Sequence, residues 1–600
     1  MEEKQRTGYP HLDSIHKEYY GEKGKKQIDI NKTMFRYIYD RRKSYNGIAF
    51  EYYGQKITYA EMFEEILKYA SAFQELGVKA GDTVTFLLPS CPKTYYMIYA
   101  LSLLGVSRNL VDLRTSVEGI KKYINETKSK YLLCLNSTNK KMLQDIMDGT
   151  SIRQVVTTNA PLEAFTSTIK RTIGKVLVAY NEKTYCSLGS RIILPHEFEQ
   201  TGATMLKPLS ELESEYIPNA STLYLHTSGT MKFPKTVVST DEAQNFVATQ
   251  YEKSLLDLQE HDKFLAIMPP WIYYGIMGFH MPLSLGMTVQ PIPDPNGQRF
   301  EDLILDLKPN VVAGVPNHFI SLNESDRITP KTDLSFAKVF ACGGAAINSE
   351  KQDEISQTLI EHGAPYGLGP GYSFSENTSV GTANQREYTK SGSVGIPLPD
   401  IEVMVIDRET KKPLKYNETG IICLRGALMK EYLGDAEETS KVLVDIDGKK
   451  WAISGDIGHV DEEGFVYIEG REKNVIIGPD GFKIAPDEIE SKICLHPEVK
   501  NCIVIGIKDK THEYGDLPVA YIELKNKPRT RREVKRIASE IKEICQKKLS
   551  SYYQPVGYYF GKIIFTQMMK DDKKAMREQY EEEEQKTAIK RLLLGRKIYK

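Results

Sequence analysis

The sequence predicts a layered α/β fold with parallel strands, joined to a smaller α+β domain. Three observations carry this. Apolar strand-like runs alternate with helical stretches through the first third of the chain. Six hundred residues exceed what a single hydrophobic core organises, so two or more domains are expected. The character of the chain changes near residue 470, from alternating elements to one long amphipathic helix among a few strands.

The elements follow in order. "ITYAEMFEEILKYASAFQELG" opens on a capping box, Thr58 to Glu61. Met62, Ile66, Ala70 and Phe73 then recur at helical spacing, and Gly77 ends the segment. "DTVTFLLP" reads as a buried strand, "KTYYMIYALSLLG" as a helix and "KYLLCL" as a strand. Further strand-like runs are "TLYL", "FLAIMP", "NVVAGVP" and "AKVFACGG". Three of the four end in small or polar residues or Pro, at the strand ends where open α/β sheets bind ligands. "WAISGDIGHVDEEGFVYIEG" reads as β-rich with glycine turns. Beyond it come the strands "NCIVIGI", "PVAYIEL" and "KIIF" and the helix "REVKRIASEIKEICQKKL". The charged end, with Glu582 four residues before Lys586, reads as a solvated helix. The division expected is a large domain over 1–472 and a small one over 473–600 with a charged tail.

Composition narrows the function. A net charge of -1 gives no bulk attraction to nucleic acid or anionic membrane. No apolar run approaches the ~18 residues that span a bilayer. The first residues lack the apolar core of a signal peptide. The 8 cysteines are scattered without a C-x-x-C pair, which fits reduced thiols in a cytoplasm. "HEFEQ" at His196 fails the H-E-x-x-H zinc pattern at its fifth position.

Chemistry concentrates in four segments. "HTSGTMKFPKTVV" (His226 to Val238) packs hydroxyls, Gly and two Lys behind a strand, the makings of a phosphate loop. It lacks the second Gly and the Lys-Ser/Thr ending of a Walker loop. "GPGYSFSENTS", "AISGDIGHVDEEG" and "EGREKNVIIGPDGFKIAPDEIE" follow in that order.

Together these resemble the signature segments of the adenylate-forming superfamily: acyl-CoA synthetases, amino-acid-adenylating domains and luciferases. The likeness runs from about residue 35 to about 580. Thr227, Ser228, Gly229, Thr230, Pro234 and Lys235 match its phosphate loop; Met231 stands where Thr is usual, Lys232 and Thr236 where Gly is usual. The resemblance implies that Tyr372 stacks on adenine, Ser375 touches the α-phosphate and Glu376 holds Mg²⁺. It implies that Gly344 and Ala345, in "ACGGAA", line the adenine and acyl sites. Asp456 would accept from both ribose hydroxyls with Arg471 in support, and Lys473 would be the hinge between domains. Lys574, in "MMKDDKKAMRE", takes the place of the catalytic Lys, though Lys573 stands for the usual Gly and the family's Pro and Thr are absent.

Amino-acid-adenylating domains place an Asp after the "FLAIMP"-like strand to pair with the substrate ammonium. Here "MPPWIYYGIMGFHMPL" has no acid, and an unpaired ammonium in a closed pocket is costly. The expected substrate is therefore a fatty or aryl acid, with Trp271, Tyr273, Tyr274 and Gly275 as pocket candidates. Many acyl- and aryl-CoA synthetases carry His where Ile272 stands. No carrier domain or "GxS" signature follows, so coenzyme A is the expected acceptor, with ATP and Mg²⁺ as the other requirements. An acyl carrier protein acceptor, or a nucleotide- or acyl-binding protein of low activity, are the alternatives. Chain length of the acid and oligomeric state are not legible.

Overall fold

A computed structural model describes residues 6–159, 161, 168–227, 234–293, 299–378, 380–472, 476–477, 483–484, 486–508, 516–528, 530–549, 554–564, 573 and 575–580. Two large sheets form the body. One orders its strands Glu431–Tyr432, Thr236–Ser239, Leu223–His226, Ser107–Leu110, Thr83–Leu87, Tyr131–Leu135, Gln154–Thr158 and Ile192–Ile193. Its pairs are parallel from Leu223–His226 to Ile192–Ile193. The second has nine strands, with a parallel centre running from Ile48–Tyr52 through Thr288–Pro291, Lys263–Ala266, Val311–Gly314 and Val339–Cys342 to Leu368–Tyr372. A smaller antiparallel sheet spans 402–471.

Most of the expected elements are present among the described residues. Helix Tyr59–Glu75 carries the Thr58/Glu61 capping box and buries Met62, Ile66, Ala70 and Phe73. "KTYYMIYALSLLG" becomes helix Pro92–Leu103, buried along nearly its whole length. The β-rich stretch is a hairpin, Lys449–Val460 against Val466–Arg471. In the C-terminal region, strands Val499–Lys508 and Asp516–Leu524 and helix Arg531–Lys548 enclose a separate core that includes Ile489, Val504, Ile522 and Ile541. One strand is displaced from its expected place. Gly557–Phe560, not "KIIF", pairs with Asp516–Leu524, in register Tyr521↔Tyr559. Ile563 instead turns into the core beside Val519 and Tyr521, so its apolar character serves packing rather than a strand. The charged tail lies outside the described residues.

A buried ion pair knits the first large sheet to its helices. Arg108 is fully buried and its Nη2 donates to Oδ1 of Asp241. Asp241 Oδ2 accepts from Met34 N–H and Ser102 Oγ, both at 2.8 Å, and Oδ1 also accepts from Thr222 Oγ1 at 2.7 Å. One carboxylate thus joins the starts of helices Met34–Arg42 and Asp241–Lys253, helix Pro92–Leu103 and the residue before strand Leu223–His226. Burial pushes the Asp241 carboxyl up, and Arg108 with these hydrogen bonds more than offsets it, leaving it below its ordinary range.

Candidate active site

Residues 226–238 begin at the end of strand Leu223–His226 and close in strand Thr236–Ser239, the two strands pairing antiparallel from His226↔Thr236. The loop is pinned at its base: Thr227 N–H donates to the Lys235 carbonyl at 2.9 Å and Lys235 N–H to Thr227 Oγ1 at 3.1 Å. Ser228, Gly229 and Thr230 lie outside the described residues, as do Met231 and Lys232. His226 is held beneath, stacked on Tyr123 with centroids 3.6 Å apart and bonded to Asn109 Oδ1 at 2.9 Å. Burial drives its imidazole down to about 3, so the ring stays neutral.

Strand Thr236–Ser239 pairs on its other side with Glu431–Tyr432, in register Val237↔Tyr432. That pairing places Tyr432 between two of the expected site residues. Its hydroxyl donates to Glu376 Oε1, and Lys235 Nζ stands 4.5 Å from its ring centroid. Lys235 Nζ also pairs with Glu438 Oε2. Hydrogen bonds from Lys235 and Lys441 hold the Glu438 carboxyl down at about 2. Glu376 sits with Ser375 in the short helical turn Ser375–Asn377 that follows strand Leu368–Tyr372, and its carbonyl accepts Met429 N–H at 2.8 Å.

Asp456 gathers the remaining polar groups. It lies on strand Lys449–Val460 directly opposite Arg471. Its side chain is buried, with Oδ1 2.7 Å from Arg471 Nε and Oδ2 accepting the Tyr372 hydroxyl at 2.6 Å. Burial, reinforced by the Asp456 charge, keeps the Tyr372 phenol well above its usual range and protonated. Arg471 and Tyr273 each lie near enough to Glu376 to feel its charge.

Gly344 and Ala345 follow strand Val339–Cys342 and are exposed. Gly344 has φ +82, the left-handed region that L side chains disfavour, which gives this Gly a backbone reason. Trp271, Tyr273 and Tyr274 are half-buried against the main core, and Tyr274 donates to the Gly314 carbonyl at 3.3 Å. Gly275 has a packing reason: a Cβ would stand 1.8 Å from the Pro269 carbonyl oxygen. A cavity of about 1490 Å³ separates these strand ends from the C-terminal region, lined by Ala345, Arg471, Asp487, Lys492 and Lys500 among others. Lys473 and Lys574 lie outside the described residues; Lys573 Nζ is 2.9 Å from Glu490 Oε1.

The structure therefore brings together Lys235, Tyr372, Glu376, Asp456 and Arg471. Sequence reasoning missed Tyr432 and Glu438. Only strand pairing puts Tyr432 beside Glu376, so no local spacing signals it. Among the described residues no three His, Cys, Asp or Glu side chains cluster to hold a metal ion. Glu376 offers a single hard carboxylate, which fits a Mg²⁺ completed by phosphate oxygens.

Comparison with known proteins gives the chain's family and fold relatives. Residues 40–433 match the AMP-binding enzyme family and residues 488–564 match the AMP-binding enzyme C-terminal domain. A long-chain-fatty-acid–CoA ligase of Bacillus subtilis (strain 168) is 27% identical over 566 residues, covering 89% of this chain and 92% of that protein. The 4-coumarate–CoA ligase 3 of Arabidopsis thaliana is 28% identical over 484 residues, covering 79% and 78%. ATP-bound MatB from Rhodopseudomonas palustris superposes with a TM-score of 0.74 at 20% identity, over 92% of this chain and 99% of that one. The o-succinylbenzoate CoA synthetase of Bacillus subtilis, in complex with its acyl-adenylate, gives 0.70 at 22% identity, over 92% and 98%. Fold and cluster together define an enzyme of the adenylate-forming class. The chain belongs to the AMP-binding enzyme family and carries that family's large and small parts.

Proposed function

We propose that this enzyme is an acid–CoA ligase that works through an acyl-adenylate. The carrying observation is the convergence of Tyr372 and Arg471 on the buried carboxylate of Asp456, beside Glu376 and the phosphate-loop Lys235. That is a polar edge for a ribose next to a hard anion and a cation for phosphate. A carboxylate oxygen of the acid attacks the α-phosphorus of ATP and pyrophosphate leaves. The thiol of coenzyme A then attacks the acyl carbonyl and AMP leaves. Mg²⁺, held by Glu376 and phosphate oxygens, would neutralise phosphate charge when bound. Thr227, Ser228, Gly229, Thr230 and Lys235 cradle the phosphates, Tyr372 flanks adenine, and Ser375 lies toward the α-phosphate. The CoA ligase names of the curated relatives support coenzyme A over a carrier protein as acceptor.

The acid we propose has no α-amine, because no acidic residue stands between Met268 and Leu283 to meet one. Carboxylate-dependent ATP–pyrophosphate exchange, over short to long fatty acids and a set of aryl acids without CoA, tests the reading and names the class. Clear ATP binding with no exchange for any acid would favour a binding protein.

Two variants probe the parts. Lys574→Ala is expected to abolish acyl-adenylate formation while sparing thioester formation from supplied acyl-adenylate, because a Lys at that place offsets transition-state charge in the first step only. Equal loss of both steps would remove Lys574 from that role. Glu438→Gln is expected to lower the KM for ATP roughly two- to fivefold, the scale of one partly exposed ion pair that phosphate must displace from Lys235. The gain should shrink at high salt. A raised KM would show that Glu438 orients Lys235 instead.

A further inference from the structure

Helix Thr168–Tyr185 has a face that the other described residues leave uncovered. Its last two turns are fastened to the turn after strand Tyr131–Leu135. The Asn181 side chain donates to the Ser137 carbonyl at 2.9 Å, the Tyr185 hydroxyl to the Asn136 carbonyl at 3.2 Å, and Asn136 donates to Glu182 at 2.7 Å. Asn181 and Tyr185 are buried. The turns before them stand out from the body, with Ile173 62%, Val176 66%, Leu177 48% and Tyr180 65% exposed. These positions follow i, i+3, i+4, i+7 spacing, so they form one apolar stripe on one side of the helix. Scattered exposed apolar residues need no explanation, but four aligned along two turns do.

The charges on the same helix select what covers the stripe. Its charged residues are Lys170, Arg171, Lys175, Glu182 and Lys183. The one acid is tied to Asn136 and Lys183 is exposed; at helical spacing Lys170 and Lys183 take positions flanking the two ends of the stripe, while Lys175 lies on the opposite side of the helix. A chain of net charge -1 thus carries a cation at each end of its apolar stripe. Two copies docked stripe to stripe would bring these cations together, which opposes a second copy as the occupant. An apolar stripe flanked by Lys fits a helix lying in the plane of a bilayer, its stripe in the headgroup–acyl boundary and the flanking cations on anionic headgroups. No described helix is long and apolar enough to cross a membrane, so the contact would be peripheral. We infer that helix Thr168–Tyr185 docks this enzyme on anionic lipid surfaces.

The helix follows the strand Gln154–Thr158, which three strands separate from the strand that leads into the phosphate loop. Substitutions on the stripe can therefore be made without touching the candidate active site. The test is co-sedimentation of the full chain with vesicles of phosphatidylglycerol and phosphatidylcholine, against vesicles of phosphatidylcholine alone. Binding at least tenfold tighter to the anionic vesicles, weakened by salt, is expected. The double variant I173D/L177D should lose at least tenfold of that binding while keeping wild-type near-UV circular dichroism and ATP binding. K170E/K183E should lose the preference for anionic lipid. Absence of vesicle binding, or binding that I173D/L177D leaves intact, overturns the inference. So does a concentration-dependent dimer that I173D/L177D dissolves, which would assign the stripe to a second copy.

Discussion

Replacing Asp456 with Ala is expected to cut kcat/KM for ATP in the exchange reaction by about 100-fold or more, the usual scale for removing a buried, hydrogen-bonded carboxylate from a charge pair at a binding site. Asp456 is the shared acceptor: Tyr372 reaches one oxygen at 2.6 Å and Arg471 the other at 2.7 Å. Ala removes the proposed ribose acceptor and lets go of both neighbours at once. Asn keeps the shape and one acceptor, so Asp456→Asn should fall between wild type and Ala. The KM for ATP should rise in both variants while the KM for the acid changes little. An unchanged KM for ATP would take the ribose away from Asp456. Unchanged circular dichroism and urea transition guard against a folding explanation.

The second large effect concerns the fold beneath the site. Arg108→Met should destabilise the N-terminal region by about 3–5 kcal/mol, because it leaves the buried Asp241 carboxylate without its cation. Arg108→Lys, which restores a charge but not the planar geometry, should recover part of the loss. The pH dependence follows from the carboxyl. In the wild type its lowered pKa contributes stability that is present above the unfolded value and lost as pH falls through the folded one. Without Arg108 the push from burial dominates, and Asp241 takes up a proton in the fold more readily. The deficit of Arg108→Met should thus be largest near neutral pH and narrow as pH falls toward about 4. Urea titration at several pH values reads both. A transition midpoint equal to wild type at pH 7 would show that the pair contributes nothing net.

Both effects depend on contacts that connect distant parts of the chain, and this marks what could be read beforehand. The alternation of helix and strand, the capping box at Thr58 and the small or polar residues or Pro after three of the four later strand-like runs are local properties of the backbone, and they were legible. The order of the four motifs was legible too, because each must be built from neighbouring residues: a turn after a strand for Glu376, two facing strands for Asp456 and Arg471. "KIIF" misled because an apolar run fits a strand and a core contact equally well, and the partner strand took Gly557–Phe560 instead.

Tertiary structure alone decided the rest. Tyr432 reaches Glu376 across 56 residues, Lys235 reaches Glu438 across 203, and Arg108 reaches Asp241 across 133. No periodicity or spacing encodes such pairs, since each exists only once two sheets and their helices have packed. The same holds for the uncovered stripe on Thr168–Tyr185. Its spacing is that of an ordinary buried helix face, and only the packed molecule shows that nothing among the described residues covers it. By itself the sequence determined which chemistry the chain can carry, because the reactive groups sit in short segments. Which of those groups meet, and which face stays open to solvent, was settled by burial and strand pairing, which act between segments rather than within them.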